Sequence, residues 1–292
     1  MNHLIEEQLL ALNIINKSKV VDFFPKVRDR DDVRVLKCEQ SGVIYLSSTH
    51  HIEQRYYTDK KGTTYWSSST REEGLKNTYI DDNRRFEQFK ELIINKNYLD
   101  VGSGLGGVLD LFKTIAKEVM AVEPQAEIRE LLNSVGYKVY DAIENAPAKN
   151  VDVISLFHVF EHLTNPLDSL KNLHKLLTEN GKIIIEVPHA KDILIDTFKL
   201  DSFKTFTFWS EHLILHTRKS LETFLAAAGF KNITVMGFQR YPLANHLYWL
   251  NTGKPGGHTQ YAQLRSVVME NEYANLLNTI DQTDTIIAIA EK

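Results

Sequence analysis

Four glycines fall within six positions of Asp100-Val101-Gly102-Ser103-Gly104-Leu105-Gly106-Gly107. Glycine permits positive φ and lets backbone N–H groups approach a ligand that a Cβ would exclude, as a nucleotide-binding turn requires. Glu123 comes about twenty residues later, at the end of Val119-Met120-Ala121-Val122, where a carboxylate can accept both hydrogen bonds of a ribose diol. Pro124 follows it. Asp141 ends Val139-Tyr140, placed for an exocyclic adenine amine, with the Ala142 N–H serving a ring nitrogen. Both carboxylates also have a plainer reading as solvated strand-end residues. A second set of polar residues could handle protons. His158 follows Phe157, His189 follows Pro188, and Glu211-His212 lie in Phe208-Trp209-Ser210-Glu211-His212-Leu213. Histidine titrates near neutrality and suits proton removal from a hydroxyl or amine, which makes His158, His212 and His189 the candidate catalytic bases.

The elements needed to position these groups are readable. Apolar strands are expected at 97–101, 119–122, 138–140, 151–157 and 182–187, with helical patterns at 74–94, 108–116, 126–134 and 166–177. Strands alternating with helices at this spacing imply right-handed βαβ units and a parallel sheet. A helix over 217–228 closed by Gly229, a strand over 232–237 and a last strand over 284–290 complete the pattern, the last able to enter antiparallel. Ligands of such sheets sit at the carboxyl ends of the strands, which is where the glycine turn, Phe157-His158 and Pro188-His189 fall.

The chain resembles class I S-adenosylmethionine (SAM)-dependent methyltransferases in three stretches. These are Leu99-Asp100-Val101-Gly102-Ser103-Gly104-Leu105-Gly106; Phe157-His158-Val159-Phe160-Glu161-His162-Leu163 with Asn165-Pro166; and Leu176-Leu177 to Gly181-Lys182-Ile183-Ile184-Ile185-Glu186-Val187-Pro188. The resemblance spans about 80–238 plus the final strand. It implies a Rossmann-like, seven-stranded, mostly parallel sheet with helices on both faces, SAM as methyl donor and S-adenosylhomocysteine as product. The cofactor set it implies is Asp100, Gly102, Gly104, Glu123, Pro124, Asp141, Ala142, Phe157 and His158. Tyr57, Tyr79 or Arg84 would meet the methionine end, by likeness to enzymes that use a tyrosine or arginine there. A dehydrogenase shares the ribose geometry, but no nicotinamide motif is found; a SAM-binding partner without activity is the non-enzymatic alternative. His158-Val159-Phe160-Glu161-His162 also satisfies the H-x-x-E-H spacing of one zinc-protease class. Those ligands need one face of a continuous helix, whereas this stretch follows an apolar strand and precedes Pro166, so no metal is expected.

Between the last two strands lies an insertion, 239–282, dense in Gln, Arg, Tyr, Asn, His and Trp. Trp209, Glu211, Arg240, Tyr241, Asn245 and His246 are the expected acceptor wall, Arg240 being suited to bidentate pairing with a phosphate or carboxylate and Lys254 able to add a point charge. A capping subdomain or dimer contact is the plainer reading, which leaves homo-oligomerisation open. Phe238-Gln239-Arg240-Tyr241 and Gly253-Lys254-Pro255-Gly256-Gly257-His258 resemble stretches of methyltransferases from bacterial capsule and O-antigen polysaccharide clusters. That resemblance implies sugar, nucleotide-sugar or phosphorylated acceptors. Sugar carbon methylating relatives often carry an N-terminal cysteine-rich zinc module. Residues 1–75, with Val35-Leu36-Lys37-Cys38 and Ser41-Gly42-Val43-Ile44-Tyr45, look like such a module without its metal ligands, which favours O- or N-methylation and makes 76–292 the methyltransferase domain.

A net charge of −4 argues against a general nucleic-acid binder or an RNA methyltransferase. One cysteine, Cys38, permits no internal disulfide, and the absence of a long apolar run leads us to expect no membrane insertion and a cytoplasmic location.

Overall fold

The computed structural model describes residues 4–52, 68 and 70–292. Helix α1 (Leu4–Ala11) leads into strands β1 (Val20–Phe24), β2 (Val35–Cys38) and β3 (Ile44–Leu46). The long α2 (Arg71–Ile93), started by Thr70, whose hydroxyl accepts from Glu73 N, precedes the alternating part. That part runs β4 (Asn97–Val101), α3 (Gly107–Phe112), β5 (Glu118–Val122), α4 (Ala126–Ser134), β6 (Lys138–Tyr140), β7 (Val151–Phe157), α5 (Pro166–Leu176) and β8 (Leu177–Pro188). There follow α6 (Ile193–Asp196), α7 (Asp201–Thr207), β9 (Ile214–Leu215), α8 (Arg218–Ala227) and β10 (Lys231–Phe238). Helices α9 (Leu243–Thr252), α10 (Gly257–Gln260) and α11 (Val267–Thr279) precede the last strand, β11 (Thr285–Glu291).

The main sheet has the order β10-β11-β8-β7-β4-β5-β6. The pairs β4/β5, β4/β7, β5/β6 and β7/β8 are parallel, and β11 inserts antiparallel between β8 and β10. This is the Rossmann-like seven-stranded architecture expected above. Alternation along the strands explains its burial. Leu99, Val101, Ile154, Leu156, Ile183 and Ile185 face one side with α5 and α8, while Tyr98, Val153, Ile184 and Ile287 face the other with α2, α3 and α4. Leu221, Phe224 and Leu225 of α8 are fully buried, worth roughly 1.5–3 kcal/mol each.

Two local differences from the sequence reading have physical causes. The Asn180-Gly181 turn is absorbed into β8 as an irregularity of pairing, between Val151↔Leu177 and Val153↔Lys182. The second sheet, β1-β2-β3-β9, takes its fourth strand from Ile214–Leu215, far along the chain. Its side chains (Val35, Ile44, Tyr45) join the same apolar cluster as Leu99 and Ile185, so the N-terminal segment shares a core with the main sheet.

Candidate active site

Strand order reverses between β4 and β7, and a cavity of about 1150 Å³ opens at their carboxyl ends. It extends from the glycine turn to the insertion. Gly102, Gly104 and Gly106 have φ of +72°, +50° and +78°. A Cβ on Gly102 would stand 2.4 Å from Val159 Cγ2, so both conformation and space exclude a side chain there. Beneath the turn Asp100 is buried and accepts a 2.5 Å hydrogen bond from Ser155 Oγ, and burial pushes its carboxyl up to about 7.

Glu123 directly follows β5 on the cavity wall. Its Oε2 accepts from Gly104 N at 3.0 Å and its Oε1 from Gln125 N at 2.9 Å. Burial raises its pKa to about 7 against the pull of these two donors. Each oxygen keeps a further acceptor site. Asp141 is exposed and takes a 2.6 Å bond from Asn145 Nδ2, which holds its carboxyl below the usual range. Asp100, Gly102, Gly104, Glu123, Pro124, Asp141, Ala142, Phe157 and His158 all line this one cavity.

Three sequence expectations at the methionine end fare differently. Tyr57 lies outside the described residues. Tyr79 is 59% exposed and does not line the cavity. Helix phase explains it: Thr78, Asp82 and Arg85, at four- and three-residue spacings, are the α2 residues on the wall. Arg84 is drawn instead onto Glu186, at 2.7 and 2.9 Å, with its guanidinium over the Phe238 ring.

Glu186 was missed by sequence reading. It is fully buried on β8 and also accepts from Arg85 at 2.7 and 3.2 Å. His158, in the left-handed region at φ +55°, is held beside it, Nε2 3.3 Å from Glu186 Oε1 and Nδ1 3.3 Å from Glu161 Oε1. Burial and the nearby Arg240 oppose charge on this ring, but the two carboxylates raise its pKa above the ordinary value. Nε2 also stands 3.2 Å from Arg240 Nη1, so both ring nitrogens are already engaged by protein groups, which counts against a base role for His158. His189 is buried away from the cavity, its Nδ1 3.0 Å from Thr283 O, and burial lowers it to about 4; it joins β8 to the segment before β11. His212 does line the cavity. Its Nδ1 faces Thr207 O at 3.2 Å and so carries the proton, leaving the Nε2 lone pair available, and burial lowers its pKa to about 4.

The far wall carries Trp209, Arg240, Tyr241, Asn245 and His246, whereas Glu211 is buried behind His162 and does not reach the cavity. Lys254 does not reach it either. Arg240 is not free to clamp an anion: Asp81 takes its Nε at 3.3 Å and its Nη2 more closely still. Asn245 Oδ1 accepts from Gly256 N and Gly257 N at 3.3 and 3.1 Å, fixing the turn into α10. His246 Nδ1 pairs with the Tyr273 hydroxyl at 2.7 Å. Asp192 was also missed. It caps α6 through Leu194 N at 2.7 Å, lines the cavity, and is pushed up to about 8 by burial and Asp284. An aspartate before the apolar run Ile193-Leu194-Ile195 is a cap signal that could have been read; its place on the cavity was not readable.

A family model described as a methyltransferase domain matches residues 70–235, more than half of the 292. The chain belongs to the methyltransferase domain family. Its fold is similar to that of a SAM-dependent methyltransferase from Archaeoglobus fulgidus (TM-score 0.51, 17% identity, covering 79% of this chain and 97% of that one). It is also similar to a chain in a complex between the Haloferax volcanii Trm112 methyltransferase activator and the putative methyltransferase (TM-score 0.55, 10% identity, covering 80% and 98%). No curated protein matches. This methyltransferase is a SAM-dependent enzyme of the class I fold, and its residues fit a SAM-type cofactor. The fit lies in the cradle that a Cβ on Gly102 would fill and in the Glu123 carboxylate set on the wall above it.

A pH dependence follows for the methyltransferase. A ribose diol that donated to Glu123 would favour its ionised form, so such binding would lower a pKa that burial holds at about 7. Adenosylhomocysteine affinity should therefore rise with pH, by up to about tenfold per unit from this group below pH 7, and level off above it. Titration calorimetry across pH 5.5 to 8.5 (roughly the span needed) should show one proton less of slope in Glu123→Gln. An unchanged slope would remove Glu123 from the cofactor site.

Proposed function

We propose that the chain transfers a methyl group from SAM to an oxygen, or a nitrogen, of a sugar, nucleotide-sugar or phosphorylated precursor of a bacterial surface polysaccharide, acting in the cytoplasm. One observation carries the small-molecule part: the cavity, at about 1150 Å³, exceeds the roughly 300–1,000 Å³ of a single-ligand site and is capped by the insertion. Room remains beyond the cofactor for a compact acceptor, under a cover that a polymer would have to displace. The polysaccharide part is supported by the sequence likeness of the insertion.

In this reading Glu123 holds the ribose, Asp141 and Ala142 the adenine, and the glycine turn the chain between them. Asp82, whose Oδ2 would stand 2.1 Å from a Cβ on Gly107, is placed to receive the ammonium of the methionine end. Bound SAM supplies an already activated methyl group, so the protein's task is alignment and exclusion of water. Trp209, Tyr241, Trp249 and His258 give the acceptor wall an aromatic face suited to a sugar ring. Both guanidinium groups on the wall, Arg85 and Arg240, are paired with carboxylates, which favours the uncharged sugar portion at that wall.

The test is incubation with methyl-labelled SAM and a panel of nucleotide sugars, sugar phosphates, RNA and protein extract, read by mass spectrometry. A saturable, singly methylated sugar compound is expected. Label appearing only in RNA or protein would overturn the acceptor class.

A further inference from the structure

We infer that the acceptor carries an amino group, held as an ammonium by Asp192 on the acceptor side of the cavity, so that the sugars this enzyme takes are amino sugars. The inference rests on the acceptor class proposed above and names the group that recognises it.

Topology places the residue away from the cofactor cradle. Asp192 follows the end of β8 and starts α6, and β7 lies between β8 and β4, the strand that delivers the glycine turn. Two strand spacings, roughly 10 Å, separate the rim of β8 from that of β4. Asp284 comes to the same rim, one residue before the pair Thr285↔Pro188, and both carboxylates line the cavity.

Asp192 differs from the other buried carboxylates of the cavity in what surrounds it. Asp82 has Arg85 at 3.5 Å, Asp100 has the Ser155 and Tyr98 hydroxyls, and Glu123 has two backbone donors with the charge of Arg129 nearby. Asp192 is 4% exposed, and its one donor among the described residues is Leu194 N, on Oδ1. Oδ2 is left to the cavity. Asp284 brings negative charge and no donor, since Gln239 Nε2 and the N–H groups of Arg240 and Tyr241 already serve it. Burial, and then Asp284, push the Asp192 carboxyl up to about 8. A buried carboxylate beside a second one is costly to ionise without a cation.

The guanidinium groups on the cavity wall cannot supply that cation, because Arg85 and Arg240 are bound to Glu186 and Asp81. An ammonium from the acceptor supplies both the charge and a donor for Oδ2. Trp249 and Tyr273 pack in the apolar cluster of Ile193 and Leu194 at the start of α6, and aromatic rings there favour a cation over an anion. A phosphate would meet two carboxylates, and a hydroxyl would satisfy Oδ2 without offsetting its charge. The paired guanidinium groups thus leave the aromatic wall to the uncharged part of the sugar, while Asp192 faces its amine.

The test titrates the full chain, saturated with adenosylhomocysteine, by calorimetry at pH 8, where a carboxyl at about 8 is half ionised. The probes are nucleotide-linked sugars with a free amine at each ring position in turn, each beside its N-acetylated and hydroxyl counterparts. One amine probe should bind about tenfold or more tightly than both counterparts, as a charge-assisted hydrogen bond gives. Asp192→Asn, whose amide oxygen still accepts from Leu194 N, should bring that ratio to within about twofold, with adenosylhomocysteine affinity kept. A role confined to capping α6 would weaken all three probes alike and leave the ratio. Equal or tighter binding of a hydroxyl or N-acetylated probe, a ratio that survives Asp192→Asn, or no binding by any amine probe would overturn the inference. A hydroxyl sugar that binds alone does so with the sugar reading intact; that reading fails on label confined to RNA or protein.

Discussion

Glutamine in place of Glu186 is expected to lower the unfolding free energy by about 3 kcal/mol and the melting temperature by roughly 5–10 °C. Glu186 has no solvent exposure, and it is the shared acceptor for Arg84 and Arg85, with His158 Nε2 at 3.3 Å. The amide is nearly the same shape, so no cavity opens and the cost is electrostatic. Two guanidinium groups lose the anion between them, keeping only Asp81 and Asp82, at 3.2 and 3.5 Å, as partial compensation. That compensation places the cost at the lower end of what breaking a buried pair entails. Chemical denaturation of both proteins at neutral pH measures it. A loss below about 0.5 kcal/mol would mean that the cluster contributes no more than a surface pair.

The second large effect is on the cofactor. Glu123→Ala should weaken adenosylhomocysteine binding about 100-fold while shifting the melting temperature little. A diol donating to a carboxylate makes two charge-assisted hydrogen bonds, each worth roughly 1.5–3 kcal/mol, and water recovers part of that on the freed ligand. The fold loses little because Gly104 N and Gln125 N, which Glu123 now satisfies, border a cavity that water can enter. Calorimetry with the two proteins reads the ratio directly. A loss under about threefold would show that Glu123 faces another part of the ligand.

The parts of this account that were legible in the sequence are those governed by local or periodic signals. The glycine turn, Glu123 at the next strand end, and the alternation of Ile183, Ile184 and Ile185 between the two faces of the sheet all follow from short-range pattern. The antiparallel entry of β11 was also anticipated. What escaped was chosen by contacts distant in sequence. Glu186 reads as a lone polar residue in Ile183-Ile184-Ile185-Glu186-Val187, and its partners Arg84 and Arg85 lie about a hundred residues earlier on another element. For the same reason Arg84 was given to the cofactor and Arg240 to an anion, since nothing local reveals that Glu186 and Asp81 take them. Ile214–Leu215 is too short a strand for periodicity to mark, yet it completes the second sheet. His189 resembled a rim residue by position, and only its packing against Thr283 shows that it is inside.

The central claim is that the cavity over the glycine turn binds SAM, and calorimetric titration with SAM, adenosylhomocysteine and NAD in parallel tests it most directly. One saturable site is expected for the first two, none for NAD, and loss of binding in Gly102→Ala, whose new Cβ would meet Val159 at 2.4 Å. Binding of NAD alone, or adenosylhomocysteine binding that Gly102→Ala leaves intact, would contradict it.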